Sequence, residues 1–238
     1  MERQISLGDG VSGNAMGVLE AIGTRRSVRE FLPDPVPTAD LDRILDAARH
    51  APSAANGQPW RFLVVVGREN LGQLYDRVMA AIERRIDSSG KLASEEKPAA
   101  IAQYRSYAEK VFSAPVFVFV FVETGPHPNL VDCDGALAVQ NLLLAAHALG
   151  YGSCVQTSLF PEELVRDHFG APTDYRFLCA VPIGKAAAFP EDPGRRPLDE
   201  LVWRECFPTT RAEATGARDR APRDGVRAFH VGGDAVEA

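Results

Sequence analysis

Thr24-Arg25-Arg26-Ser27-Val28-Arg29 sets three cations and a hydroxyl within six residues, directly after a short apolar helical pattern. Phosphate suits such a set: each guanidinium offers a planar fork of N–H donors, and the serine adds a neutral donor. A solvated basic turn is the plain alternative, although three arginines facing water so close together would repel one another. The anion reading gains from a second stretch, Pro52-Ser53-Ala54-Ala55-Asn56-Gly57-Gln58-Pro59-Trp60, a run of small and amide residues bracketed by prolines. Around both stretches the chain is acidic. Its 238 residues carry 26 Lys and Arg against 32 Asp and Glu, a net charge of -6. That balance argues against nucleic acid as a partner, and local positive charge in such a chain suits a small anionic ligand.

The length allows one large domain or two small ones. Hydrophobic content of 45% and charged content of 24% are those of a soluble globular protein. The four cysteines, Cys133, Cys154, Cys179 and Cys206, form no Cys-x-x-Cys pair and have no histidine at ligand spacing, so no metal site is expected. They read as buried thiols in a reducing compartment. Residues 1–17 are polar and glycine-rich, without the basic start and apolar core of a signal peptide. The longest apolar run, Val116 to Val122, is far too short to span a bilayer. A soluble, cytoplasmic protein with no membrane partner is the expectation.

Residues 1–16 read as a flexible leader. Val18, Leu19 and Ile22 share one face of a short helix that delivers the arginines. Three prolines between Phe31 and Pro37 break regular structure, and Thr38 caps a helix running to His50 with Leu41, Ile44, Leu45 and Ala48 in register. Ala51 to Pro59 is loop. Trp60 to Val66 is a strand whose Leu63-Val64-Val65-Val66 run suggests burial on both faces. Leu71–Ile86 and Ala99–Phe112 are helical, joined by a polar link at 87–98, and the 84–112 pair could form an excursion that covers a site. Pro115 to Val122 is a second strong strand. Asp132 to Leu149 is the longest helix; its wide apolar coverage and many alanines suggest a central element, and Gly150 ends it. Gly152–Thr157 and Arg176–Ile183 are strands flanking a helix at Pro161–Phe169. Residues 208–238 hold too few large apolar side chains to build a core and read as a disordered tail. Trp60 reads as core, His50 and His147 as helix residues, Cys154 as packing, and Asp132 with Asp134 as charges favouring the long helix's N-terminus. Strands alternate with helices, so the class is α/β or α+β. A third glycine is missing from Gly150-Tyr151-Gly152, which follows a helix, so a dinucleotide fingerprint is absent; no P-loop or nucleophile elbow is present either.

The two opening stretches, the long helix ending Ala148-Leu149-Gly150-Tyr151-Gly152-Ser153, and the late Arg195-Arg196-Pro197-Leu198 together resemble the FMN-dependent nitroreductase family, over about residues 17–203. The resemblance implies an α+β fold: an α-β-α sandwich with a central, mostly antiparallel sheet flanked by helices, spanning 17–207 and assembled as an intertwined homodimer with FMN at each end of the interface. It assigns the phosphate to Arg25, Ser27, Arg29 and Arg195, and puts Arg26 near the flavin or ribityl. Only one of Arg195 and Arg196 can face the anion, and Arg195 is the choice. Asn56 matches a residue that bonds the flavin ring; Pro52, Ser53 and Gln58 share that loop.

The residue chemistry agrees with the resemblance. A near-dianionic phosphate needs two or three cations to neutralise and orient it. An asparagine or glutamine amide carries both a donor and an acceptor and can read the flavin's pyrimidine edge. The flavin supplies the redox chemistry, so no catalytic dyad is expected. The implied activity is an NAD(P)H oxidoreductase passing hydride through FMN to a small conjugated acceptor, a nitroaromatic or a quinone, with ping-pong kinetics. Other family chemistry (reductive dehalogenation, azoline oxidation, flavin breakdown) and a non-catalytic flavin-binding module are the alternatives. Gln156-Thr157-Ser158-Leu159 departs from the acidic or glycine-bearing loop many members set against the flavin. Tyr104, Arg105 and Tyr107, in the excursion, are the candidates to contact substrate.

Overall fold

The computed structural model describes residues 16–125 and 127–205. The expected leader, apart from Met16, and the expected 208–238 tail lie outside these residues. The chain divides into two compact units, 1–191 and 192–238. In the described part of the second, a single 3₁₀ turn at Leu198–Glu200 is the regular element.

In the first unit the order is α1 (Val18–Thr24), α2 (Thr38–Arg49), a 3₁₀ turn (Ala54–Asn56), β1 (Trp60–Val66), α3 (Arg68–Ser88), α4 (Lys97–Val111), β2 (Val116–Glu123), α5 (Pro128–Ala148), β3 (Gly152–Ser153), α6 (Glu162–Phe169) and β4 (Tyr175–Gly184). The sheet runs β1-β2-β4-β3 with every neighbour antiparallel. Strand β2 explains the layering. Its sequence alternates valine and phenylalanine, and successive side chains of a strand point to opposite faces. Phe117, Phe119 and Phe121 join a core with the inward sides of α3, α4 and α6. Val116, Val118 and Val120 join a second core with α2 and α5. The fold is therefore α+β, an antiparallel sheet between two helical layers, as expected. Stacking of Phe117 on Phe119 (5.8 Å) and the edge of Phe160 on Phe119 (5.7 Å) add directional contacts to the first core.

Several elements differ from expectation. Strand β1 is half-buried, with Val66 53% exposed, because it is an edge of the sheet rather than an interior strand. Strand β3 pairs only through Gly152 and Ser153. The chain then leaves the ladder and returns at Gln156, which exchanges both backbone hydrogen bonds with Ala180 (2.8 and 2.9 Å). Helix α5 begins a turn early, at Pro128, where proline's missing N–H costs nothing. Helix α3 extends beyond the expected 71–86 at both ends, and both it and α4 pack inward: Leu71, Leu74, Val78, Ile82 and Ile86 on one, and Tyr104, Ala108 and Val111 on the other, all face the core.

Helix α1 turns its apolar stripe outward. Val18, Leu19 and Ile22 do form one stripe, but it is 67%, 80% and 53% exposed, while Ala21 is the buried residue. Leu130 and Leu137 of α5 are also exposed. The central helix thus has one face in the core and one apolar face left uncovered by the described residues.

Candidate functional site

The basic arm is held on two sides. Along its middle, Val28 is buried and its N–H donates to the Ser153 carbonyl (3.1 Å), a parallel bridge on the free edge of β3. Gly152 permits this approach: a Cβ there would lie 2.7 Å from the Val28 side chain. At the start of the arm, the Thr24 hydroxyl donates to the Glu20 carbonyl (2.7 Å), which uses its only proton, so His147 Nε2 donates to Thr24 Oγ1 (2.9 Å). His147 is buried, and its pKa lies below the ordinary 6.5. Burial is the main cause, and the charges of Arg25 and Arg26 push the same way. The neutral imidazole is a peg beneath the arm.

Arg25, Arg26 and Ser27 are half-buried and Arg29 is exposed. Arg26 donates to the carbonyls of Gly23 (2.9 Å) and Arg25 (3.0 Å), which ties it along the arm. Arg29 Nη1 donates to the Ser27 carbonyl (3.0 Å). Among the described residues no carboxylate pairs with Arg25 or Arg29. The Ser153 hydroxyl, 1% exposed, has no hydrogen-bond partner there either. Cations that no described carboxylate pairs, on an arm bridged to a residue whose hydroxyl is unsatisfied, are a candidate place for an oxyanion.

The second stretch is a strained turn. Ala55, Asn56 and Gln58 have φ of 50°, 56° and 48°, in the left-handed region that costs L-residues roughly 1–2 kcal/mol each. Gly57 has an ordinary negative φ of -67°, so the permissive residue is not the one that bears the strain. Asparagine tolerates this region better than most residues, which suits position 56. Inside the turn, Gln58 N–H donates to Ser53 Oγ (3.0 Å), Gly57 N–H to the Ala54 carbonyl (2.9 Å) and Gln58 Nε2 to the Asn56 carbonyl (3.3 Å). From α5, buried Asp134 accepts the Ala54 N–H on both carboxylate oxygens (3.1 and 3.3 Å). The Asn56 side-chain amide is exposed and bonds no other described residue. Pro52 is exposed and Ser53 half-buried. Ala54, Gly57 and Pro59, with His127, Leu130 and Asp134, wall an open cleft of about 260 Å³.

The substrate candidates separate. Tyr104 packs in the core with the Arg85 guanidinium over its ring at 5.8 Å. Arg105 is exposed and paired with Glu83. Tyr107 is half-buried, and its hydroxyl donates to Gln156 Oε1 (3.0 Å), whose amide nitrogen donates in turn to Cys154 Sγ (3.4 Å). Arg195 belongs to the second unit, where it donates to the Gly194 carbonyl (2.8 Å) and lies 3.9 Å from Asp192. No group of metal-ligating side chains occurs among the described residues. No described helix is long and apolar enough to cross a membrane.

Two residues whose contacts matter here had other readings in the sequence: Asp134 as a charge favouring the long helix's N-terminus, and His147 as a helix residue. Both lie on α5, and each anchors one of the two stretches. Their positions are thirteen residues apart, about 20 Å at a helical rise of about 1.5 Å per residue. One helix therefore carries both halves of the site.

Close counterparts of this architecture are known. A protein of Methanothermobacter thermautotrophicus, provisionally described as an NADH dehydrogenase/NAD(P)H nitroreductase, is 35% identical over 77% of this chain and 83% of its own. The 5,6-dimethylbenzimidazole synthase of Rhodobacter capsulatus is 29% identical over 80% of this chain and 92% of its own. Among solved structures, the FMN and NADPH-dependent nitroreductase NfnB from Sphigopyxis sp. strain HMH superimposes with a TM-score of 0.63 at 27% identity, covering 80% of this chain and all of that one. The nitroreductase family model matches residues 22–185, which takes in the arm, the strained turn, α5 and the whole sheet, and the chain belongs to that family.

Proposed function

We propose that this chain is an FMN-dependent oxidoreductase of the cytoplasm that takes reducing equivalents from NAD(P)H and passes them to a small conjugated acceptor such as a nitroaromatic or a quinone. The observation that carries the reading is the pairing of Arg25 and Arg29, which no described carboxylate pairs, on one anchored arm with the exposed Asn56 amide, which bonds no other described residue, on one strained turn. Those are the two chemistries a flavin mononucleotide presents, a phosphate at one end and a donor–acceptor edge at the other. Arg25, Ser27 and Arg29 would hold the phosphate, with Arg26 beside them. Asn56 would face the ring edge, with Pro52, Ser53 and Gln58 shaping its loop. When bound, the flavin supplies hydride acceptance and donation. The protein's residues bind it, orient it and limit its exposure. NfnB, by its name, depends on FMN and NADPH, which supports the same pair here.

The active form is proposed as a homodimer. Asp134 and His147, which anchor the turn and the arm, lie about 20 Å apart along α5, and that separation supports an arm and a turn supplied to one flavin by different copies. Two copies joined through the bare apolar faces of α1 and α5 would let the arm of one meet the turn of the other. Arg105 and Tyr107 of α4 are the proposed acceptor contacts; Tyr104 supports them from the core.

An absorption spectrum tests the proposal. The purified protein is expected to be yellow, or to become so with FMN, and to bleach when NADPH is added without oxygen. A preparation that stays colourless in excess FMN overturns it. The dimethylbenzimidazole synthase relative favours a second reading, other flavin chemistry on the same scaffold; a bleached enzyme that reoxidises with no nitroaromatic or quinone in a screened panel would select it. A flavoprotein that never bleaches would be the non-catalytic binding module.

A further inference from the structure

We infer that Asp134 is the positioning residue that holds the Ser53–Gln58 turn in the shape that presents Asn56; the inference rests on the reading of that turn as flavin-binding. Asp132 and Asp134 are two apart on α5 and point in different directions, as i and i+2 do on a helix. Asp132 pairs with Arg176 of β4. Asp134 is turned inward, only 8% exposed, and no described cation pairs with it. A buried carboxylate without a cation needs strong hydrogen bonds to offset its lost hydration. The donor that the structure supplies is the Ala54 N–H, shared between both oxygens at 3.1 and 3.3 Å.

That donor opens the most strained segment of the described chain. Ala55, Asn56 and Gln58, three of four consecutive residues, are non-glycine residues at positive φ. Such a path persists only where its surroundings over-determine it. Most of the turn's other hydrogen bonds are internal, from Gln58 N–H to Ser53 Oγ, from Asn56 N–H to the Ser53 carbonyl and from Gly57 N–H to the Ala54 carbonyl. Its far end is tied to β1, where Arg61 Nη1 donates to the Gln58 carbonyl (3.2 Å); at its start the internal bonds define a shape but do not moor it. Asp134 moors it to α5. The mooring point is itself fixed, because α5 packs hard on the sheet at the next residue: a Cβ on Gly135 would lie 2.6 Å from Val122 Cγ1 and 2.8 Å from Leu178 Cδ2. The exposed Asn56 amide is thus registered to the sheet through Ala54, Asp134 and Gly135.

The test uses the full chain and three variants: Asp134→Ala, Asp134→Asn, and Asp134→Ala combined with Ala55→Gly. FMN affinity is read by fluorescence quenching, and Ala54 amide exchange by NMR on the flavin-free protein. Asp134→Ala is expected to weaken FMN about tenfold and to speed Ala54 exchange. Asp134→Asn keeps an acceptor oxygen, and should stay within about threefold of the unmodified chain on both readouts. Glycine at 55 removes the left-handed penalty, so the double variant should recover most of the FMN affinity while Ala54 exchange stays fast. General destabilisation would not be relieved in this selective way. Equal FMN affinity in Asp134→Ala and the unmodified chain, or unchanged Ala54 exchange, overturns the inference while leaving the flavin reading intact. If the unmodified chain binds no FMN, the flavin reading fails and this role for Asp134 fails with it.

Discussion

Arg25 has a half-buried guanidinium, no paired carboxylate among the described residues, and an arm fixed by Thr24 before it and Val28 after it. Losing one charge-assisted contact costs about 1.5–3 kcal/mol, so Arg25→Ala should weaken FMN binding about tenfold or more, measured by equilibrium dialysis. Unchanged affinity would place the phosphate elsewhere. His147 makes a separate prediction. Its folded pKa is depressed below 6.5 by burial and by Arg25 and Arg26, so below pH 6.5 the unfolded chain takes up a proton that the folded chain resists. Stability associated with this group is present above pH 6.5 and is lost as pH falls through the depressed folded value. His168, lowered by burial and Arg77, acts in the same sense. The midpoint of thermal unfolding should therefore fall between pH 7 and pH 5, roughly, and the fall should be shallower in His147→Gln; parallel curves would remove His147 from the account. The arginines and Asn56 stand out in the sequence because their side-chain chemistry would suit the proposed ligand. Asp134 and His147 do not, because their importance comes from what lies opposite them, Ala54 eighty residues away and Thr24 more than a hundred.

At the scale of elements, β2 was transparent and α1 was not. The alternation of valine and phenylalanine assigns β2 to a two-faced buried strand whatever surrounds it. For α1, the same periodicity correctly grouped Val18, Leu19 and Ile22 on one face, but nothing local says whether that face meets its own chain or another. The structure leaves it bare, together with Leu130 and Leu137 of α5. Covering a leucine contributes about 1.5–3 kcal/mol. Leu137→Glu is therefore expected to weaken self-association at least tenfold, shifting the species seen by light scattering at micromolar concentration from dimer toward monomer. A monomeric unmodified chain that still holds flavin would remove the dimer from the proposal. Contact between the arm and β3 makes another prediction. Gly152→Ala places a methyl 2.7 Å from Val28; such overpacking costs about 1–3 kcal/mol and should lower the thermal midpoint while loosening FMN, because the arm must shift. A variant as stable as the parent would mean the arm yields without strain.

For the molecule as a whole, α5 is the organising member. It packs on the sheet through Gly135, on α2 through the core around Leu142, and on both functional stretches through Asp134 and His147. Periodicity marked it as central, and residue chemistry marked the arm and the turn as ligand-facing; those are properties of neighbouring residues, so they are written in order along the chain. The alternation of helices and strands, the four strands and the cluster of arginines all follow from such local patterns, while the choice of α+β over α/β came with the family resemblance. Long-range geometry settled the remainder: that β1 lies at an edge, that Ala55, Asn56 and Gln58 rather than Gly57 take the left-handed path, that Asp134 and His147 serve as anchors, and that the stripe of α1 faces outward. Each of these depends on which distant segment arrives alongside, and a one-dimensional pattern carries periodicity and chemistry but no address for its partner.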